Sequence, residues 1–121
     1  MPTEIVSDLK SHGSDINETE EMISSIGTAD VIYMTRIQKE RFPDEDEYNK
    51  FAGVYKLEAS DLVDAKKELI IMHPLPRVNE LHPSVDSTEH AKYFRQAFNG
   101  VPTRMALLCR GLEIKIPKKV K

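Results

Sequence analysis

A short polar segment, Thr35 to Arg41, carries the side chains best suited to binding a small anion. Arg36 offers a planar guanidinium group that matches a carboxylate through two parallel hydrogen bonds. Glu40 lies four residues further on, within reach of that guanidinium if the segment is helical, and Gln38 adds an amide donor and acceptor. The segment is a candidate site for a small anion such as an amino acid, or alternatively an exposed, salt-bridged helix start.

A second segment, Met72 to Glu80, has the sequence MHPLPRVNE and follows an apolar run. Proline lacks an N–H and favours extended geometry in the residue before it. His73 and Leu75 are therefore expected to be extended, with carbonyls free to accept a ligand N–H. The alternative is a rigid turn that only ends a strand. His73 is expected to anchor the loop rather than to act as a base.

The rest of the sequence offers little other chemistry. It contains no glycine-rich phosphate loop, no Cys/His spacing typical of a metal site and no Ser/His/Asp arrangement. The single cysteine, Cys109, suits a reducing compartment, and its apolar neighbours predict a buried thiol. The net charge of −3 argues against a nucleic-acid partner, and no apolar run is long enough to span a membrane. We therefore expect a cytoplasmic protein without metal or cofactor.

Helical and strand-like patterns alternate along the chain, which predicts an α/β domain with a parallel sheet. The apolar run 68–72 is predicted as a buried strand, and the run 30–34 as a strand covered on both faces. Each run leads into one of the two polar segments. Because the carboxyl ends of parallel strands meet at one edge of a sheet, both segments are expected at that edge, where ligands bind.

The remaining patterns predict the elements that flank this sheet. Asn99-Gly100 is expected to end one helix, and Pro102 to begin the next. The side chains of Tyr93, Phe94, Ala97 and Phe98 are expected to form a buried stripe. Helices are predicted over 2–11, 18–26, 44–51, 60–67, 86–98 and 102–110, and a short strand over 54–57.

Three motifs closely resemble the catalytic chain of the aspartate carbamoyltransferase family, in the family's order and near its spacing. They are YMTRIQKER at 33–41, MHPLPRVNE at 72–80, and YFRQA at 93–97 with Asn-Gly at 99–100 and RMALL at 104–108. The resemblance runs from Met1 to about Leu108. The related ornithine enzyme usually has a cysteine where Pro74 stands, which favours the aspartate enzyme.

The resemblance implies a fold, an activity and a division of the chain. Residues 1–112 would form the second, aspartate-binding half of the family's chain, a Rossmann-like three-layer domain with a short parallel sheet flanked by helices. Residues 113–121 would form a basic tail. The family converts carbamoyl phosphate and L-aspartate to N-carbamoyl-L-aspartate in pyrimidine biosynthesis. It needs no metal in its active site and works as a trimer.

The resemblance also implies roles for individual residues. Arg36 would hold a carboxylate of L-aspartate, with Glu40 orienting the guanidinium, and Gln38 would help to bind the substrate. The backbone carbonyls of Leu75 and Pro76 would hold the carbamoyl NH₂ group. The supporting residues would be His73 and Arg77.

Other parts of the family pattern have no match in this sequence. They are the Ser-Thr-Arg-Thr loop that binds carbamoyl phosphate and the catalytic lysine loop. One hypothesis is an aspartate-binding half that is inactive alone and meets carbamoyl phosphate only with the missing domain. The alternative is a non-catalytic short homologue, acting as a ligand-binding or protein-interaction module. Either hypothesis predicts an exposed apolar patch that self-associates or binds a partner domain.

Overall fold

Two short parallel strands organise the polypeptide. The computed structural model describes residues 1–51 and 55–114, with β1 at Val31–Tyr33 and β2 at Ile70–Met72. The strands pair in parallel with Ile32 opposite Ile71. Their β-branched side chains favour extended backbone and pack well on a pleated surface. The predicted α/β class, the parallel sheet and the positions of both strands are confirmed.

Helices and single turns connect and flank the strands. The described residues contain the α-helices α1 (Thr3–Ser11), α2 (Ile23–Ile26), α3 (Glu45–Phe51) and α4 (Tyr93–Gly111). Turns of 3₁₀ helix lie at Lys39–Arg41, Ala59–Leu62 and Pro83–Ser87. Within the described ranges, every helix is too short or too polar to cross a membrane.

The two strands differ in how well they are covered. β2 is enclosed, because the Ile71 N–H donates to the His90 carbonyl (2.8 Å) and its carbonyl accepts from the Lys92 N–H (3.0 Å). In β1, by contrast, Val31 and Tyr33 are each about half exposed. The prediction that this strand is covered on both faces is therefore wrong. The core contains Ile26, Met34, Leu57, Leu62, Leu69, Ile71, Leu81, Val85 and Tyr93.

Two predicted helices are shorter than their patterns suggest, and a third, predicted to start at residue 86, starts only at Tyr93. The hydroxyl of Thr19 accepts from the Glu21 N–H (3.0 Å), and α2 is a single turn that begins after Met22. At 60–67 the structure has only the 3₁₀ turn, and the Glu58 N–H donates to Asp61 Oδ2 (2.7 Å). Short polar side chains bond to nearby backbone groups and so compete with helical hydrogen bonding.

The strand predicted over 54–57 falls partly outside the described residues, since residue 54 is not among them. Leu57 forms a single parallel bridge with Leu81. The Leu57 N–H donates to the Glu80 carbonyl, and the His82 N–H donates to the Leu57 carbonyl, both at 2.9 Å. This bridge fixes the far end of the loop that follows β2.

The largest departure from the prediction is α4, which is one continuous helix of 19 residues with Pro102 inside it. Proline has no N–H, so the Phe98 carbonyl lacks its usual helical donor. The Thr103 hydroxyl donates to the neighbouring Asn99 carbonyl (2.8 Å). At Gly100 an added Cβ would lie 2.5 Å from Arg104 Nη1. Gly100 has no side chain, which leaves room for this guanidinium. The prediction that a helix ends at Asn99-Gly100 is wrong.

The apolar side of α4 is open rather than buried. Tyr93 is fully buried, as predicted, but Phe94 and Phe98 are mostly exposed and Ala97 is exposed. The predicted stripe is therefore wrong beyond its first residue. Cys109 is half-buried, so its expected burial in a core is also wrong. The expected apolar patch is present along α4.

Candidate functional site

The two polar segments leave the sheet side by side, as predicted. The Met34 N–H donates to the Met72 carbonyl (2.9 Å) at the ends of the two strands. Residues 35–41 then continue from β1, and residues 73–80 continue from β2. Ligands of parallel α/β sheets bind beyond this carboxyl edge. The two segments are named the β1 arm (35–41) and the β2 loop (73–80).

The β1 arm forms an open cleft of about 500 Å³ that contains Arg36 and Gln38. The guanidinium is held by Glu40, with Nη1–Oε2 at 3.1 Å and Nη2–Oε1 at 2.5 Å. The 3₁₀ turn at Lys39–Arg41 carries Glu40. The predicted contact is therefore confirmed although the arm is not α-helical. The cleft is also lined by Thr35, Arg41 and Phe42.

The hydrogen bonds to Glu40 hold the Arg36 guanidinium in place and leave some of its N–H groups free for a ligand. The hydrogen bond raises the pKa of Arg36 and, with its charge, lowers the pKa of Glu40. Arginine has five N–H donors, and Glu40 is the one hydrogen-bond partner of Arg36 among the described residues. Its side chain is 37% exposed. Arg36 can therefore hold Glu40 and bind a second carboxylate.

The β2 loop is built around His73, whose side chain is buried. Its Nδ1 accepts from the Leu75 N–H (2.8 Å), so the ring proton is on Nε2. Nε2 then donates to Glu80 Oε1 at 2.7 Å. Both ring nitrogens of His73 are thus occupied by hydrogen bonds. This residue anchors the loop, as expected, and is not free to act as a base.

Glu80 is the residue of the loop that sequence reasoning missed. Its carboxylate is 4% exposed and also accepts from the N–H groups of Val78 (3.3 Å) and Asn79 (3.1 Å). Burial acts to raise the pKa of Glu80, but hydrogen bonds from the backbone N–H groups of Glu80 and Val78 and from His73 outweigh it and hold the pKa below its usual value. The only sequence signal for Glu80 is its position at the end of the MHPLPRVNE motif, and that position does not indicate burial.

Leu75 and Pro76 form the tip of the loop with an unexpected backbone. Their peptide bond is cis, and Leu75 has φ of +46°. The prediction that Leu75 is extended is therefore wrong; its N–H turns back onto the His73 ring. No hydrogen bond between described residues ends on the carbonyl oxygen of Leu75 or Pro76. Both carbonyls are available as acceptors.

Arg77 joins the loop to α4 instead of facing an open cleft. Its guanidinium makes two hydrogen bonds to Asp86, one of them 2.7 Å long, and lies 5.8 Å from the centre of the Tyr93 ring. The Tyr93 hydroxyl also donates to Asp86. Burial and this hydrogen bond raise the pKa of Tyr93 to about 12. These contacts support a structural role for Arg77.

Gln96 of α4 connects both strand ends, which the sequence did not predict. Its Oε1 accepts from the His73 N–H (2.9 Å), and its Nε2 donates to the Tyr33 hydroxyl (3.1 Å). The site thus combines a cationic cleft with two free carbonyls on a fixed loop. The described residues contain no cluster of three His, Cys, Asp or Glu side chains suited to a metal.

Comparison with known proteins gives consistent relatives. The family described as "Aspartate/ornithine carbamoyltransferase, Asp/Orn binding domain" matches residues 2–110. The aspartate carbamoyltransferase catalytic subunits of Thermococcus gammatolerans and Archaeoglobus fulgidus are each 56% identical to this chain, over 108 and 110 residues. Each match covers 89% of this chain and 35% of the relative.

Solved structures of the same enzyme share the fold. The catalytic subunit of M. jannaschii aspartate transcarbamoylase has a TM-score of 0.79 and 46% identity, covering 93% of this chain and 36% of that one. Trypanosoma cruzi aspartate transcarbamoylase in complex with carbamoyl phosphate and aspartate has a TM-score of 0.76 and 34% identity, covering 89% and 36%. The chain spans about 35% of the length of its curated relatives. It belongs to the aspartate/ornithine carbamoyltransferase family and corresponds to the Asp/Orn-binding domain.

Proposed function

We propose that this chain is the aspartate-binding half of an aspartate carbamoyltransferase, which forms N-carbamoyl-L-aspartate for pyrimidine biosynthesis. One observation carries the proposal: the cleft of Arg36 and Gln38 lies at the same sheet edge as the free carbonyls of Leu75 and Pro76. A cation beside hydrogen-bond acceptors suits a reaction between a dicarboxylic amino acid and a group that carries an NH₂.

In this proposal each part of the site has one task. The free N–H groups of Arg36 bind a carboxylate of L-aspartate, while Glu40 keeps the guanidinium in place. Gln38 donates to the same substrate. The carbonyls of Leu75 and Pro76 accept from the carbamoyl NH₂ group. The Trypanosoma cruzi relative, which was solved with both carbamoyl phosphate and aspartate, supports this pairing of ligands.

We also propose that these 121 residues do not turn over alone. Transfer of a carbamoyl group from phosphate depends on donors and cations aimed at the charge that develops on the leaving group. The sequence has no counterpart of the family's Ser-Thr-Arg-Thr loop. Carbamoyl phosphate is therefore expected to bind only when the domain that carries this loop is supplied.

A second candidate function is a non-catalytic module that binds a ligand or another protein. The observation that favours it is the uncovered apolar side of α4, where Phe98 and Leu108 are 71% and 65% exposed. Exposed apolar surfaces of this kind mark interaction sites. Both candidate functions therefore include self-association or a partner domain.

An NMR titration of the labelled chain with L-aspartate, with and without carbamoyl phosphate, separates the two functions. Saturable shifts in the β1 arm and the β2 loop are expected. Binding should be at least tenfold weaker in Arg36→Ala, because a charge-assisted hydrogen-bond pair is lost. Arg110→Ala, an exposed arginine on α4, is the matched control and should bind normally. No shifts at millimolar aspartate in a folded chain would favour the interaction module.

A further inference from the structure

The uncovered side of α4 has a regular spacing. Six apolar residues follow one another at intervals of 4, 3, 4, 3 and 4 positions, and each exposes 53–71% of its surface. These intervals are those of the a and d positions of paired helices. We name this row the α4 seam; it consists of Phe94, Phe98, Val101, Met105, Leu108 and Leu112.

The intervals read the same in both directions along the helix, so the α4 seam is complementary to an antiparallel copy of itself. In that pairing Phe94 meets Leu112 of the second copy and Phe98 meets Leu108. Val101 meets Met105 close to the two-fold axis. Every layer combines a larger with a smaller or more flexible side chain, which allows close packing. A two-fold dimer requires self-complementarity of this kind.

The available area is compatible with a dimer. A large apolar side chain carries roughly 150–200 Å² of surface, so covering the exposed parts of six removes on the order of 600 Å² per copy. A standard specific interface buries about 800 Å² per partner. The α4 seam approaches this size, and we expect a dissociation constant on the order of micromolar.

The charged side chains of α4 do not block the α4 seam. The nearest cation to the two-fold axis is Arg104, whose guanidinium lies against Gly100. Gly100 lies on the helix flank away from the α4 seam, because each residue advances 100° around the axis. The two Arg104 side chains of a dimer are thereby kept off the shared apolar contact.

We propose that the α4 seam is the interface between two copies of this chain, paired antiparallel about a two-fold axis that passes between Val101 and Met105, at the height of Thr103 along the helix. This proposal rests on the proposed function, because it specifies the self-association that is included there. It does not depend on aspartate binding. In a longer carbamoyltransferase chain, another domain would compete for the same surface.

Sedimentation equilibrium of the 121-residue chain tests the interface. The wild type should reach twice its mass of 13.8 kDa at tens of micromolar. Met105→Glu should weaken the dimer at least 100-fold, and Ala106→Glu, about 100° around α4 from Met105 and outside the α4 seam, should leave it unchanged. Both positions are exposed, so both variants should fold. A wild type that stays monomeric at 0.5 mM (roughly 500-fold above a constant of about 1 μM), or a dimer that survives Met105→Glu, would overturn the proposal.

A disulfide experiment tests the direction of pairing. In the antiparallel arrangement residue 95 of one copy lies near Cys109 of the other. Within one helix these positions are roughly 21 Å apart, since each residue rises about 1.5 Å. Arg95→Cys should therefore form a disulfide between residues 95 and 109 of two different chains, identified by mass spectrometry of unreduced peptides. Only 95–95 or 109–109 links would indicate parallel pairing and contradict the model of the dimer.

Aspartate titration of Met105→Glu keeps the two proposals distinguishable. The monomeric variant retains the β1 arm and the β2 loop, so its shifts on adding L-aspartate should match those of the wild type. Loss of the dimer with normal binding supports both proposals. Normal dimerisation without aspartate binding would refute the ligand site and leave the interface standing.

Discussion

The two segments that leave the sheet are built in opposite ways. The β2 loop buries His73 and Glu80, which are 1% and 4% exposed, and each satisfies the other. The β1 arm leaves Arg36 37% exposed and holds it through one carboxylate, Glu40. The loop therefore presents its carbonyls from a buried framework, whereas the arm presents an exposed charge that is held by one carboxylate. Fixed acceptors give orientation and an exposed cation gives attraction.

Removing the centre of the β2 loop should have the largest effect. Glu80→Ala leaves the Nε2–H of His73 and the N–H groups of Val78 and Asn79 buried without an acceptor. We expect the free energy of unfolding to fall by about 3 kcal/mol, measured by urea denaturation. Glu89→Ala, at an exposed carboxylate, is the control and should change little. A loss as small as that of the control would mean that the loop is not rigid.

The second-largest effect on stability is expected where the β2 loop contacts α4. Tyr93→Phe removes the hydroxyl that donates to Asp86 but keeps the buried ring and the bonds from Arg77. One hydrogen bond to a charged acceptor is lost, so unfolding should become easier by about 1.5 kcal/mol. Urea denaturation measures this, and the chemical shifts of the β1 arm should stay constant. A change in those shifts would show that the two segments are coupled through this contact.

The pH dependence of stability should show the contribution of Glu80 in the β2 loop. The folded pKa of Glu80 lies below its ordinary value of 4.5. Its stabilising contribution is therefore complete above pH 4.5 and is lost as the pH falls through the folded pKa. Unfolding free energies measured between pH 7 and pH 3 should fall more steeply for the wild type than for Glu80→Gln. Equal slopes would indicate that other carboxylates dominate.

The smallest effect on stability is expected in the β1 arm. Arg36 is exposed, and exposed ion pairs contribute little to stability. Arg36→Ala should leave the urea midpoint unchanged while weakening the binding of L-aspartate at least tenfold. A destabilised Arg36→Ala would show that the arm is part of the folded framework, and the contrast with the β2 loop would then fail.

The sequence predicted the features that depend on local pattern. The β-branched runs around Ile32 and Ile71 indicated both strands, and their order placed both polar segments at one edge. The four-residue spacing from Arg36 to Glu40 indicated their contact, which forms although the segment from 36 to 40 is not α-helical.

The features that were missed depend on contacts between distant residues or on exposure. Nothing local indicates that Glu80 is buried against His73. Leu75 was expected to be extended because of the proline rule, but its N–H turns back onto the His73 ring. Asn99-Gly100 and Pro102 usually separate helices, yet α4 continues on the surface, where a missing helical bond is tolerated.

Gln96 determines the direction in which the open side of α4 points. Most of this helix contacts no core, so apolar packing fixes little beyond Tyr93. The amide of Gln96 holds the helix between the His73 N–H and the Tyr33 hydroxyl. A shift of one residue would rotate the helix by 100° and break both bonds. The hydrogen bonds of one polar side chain thus fix the rotation, about its own axis, of a helix whose apolar surface faces outward.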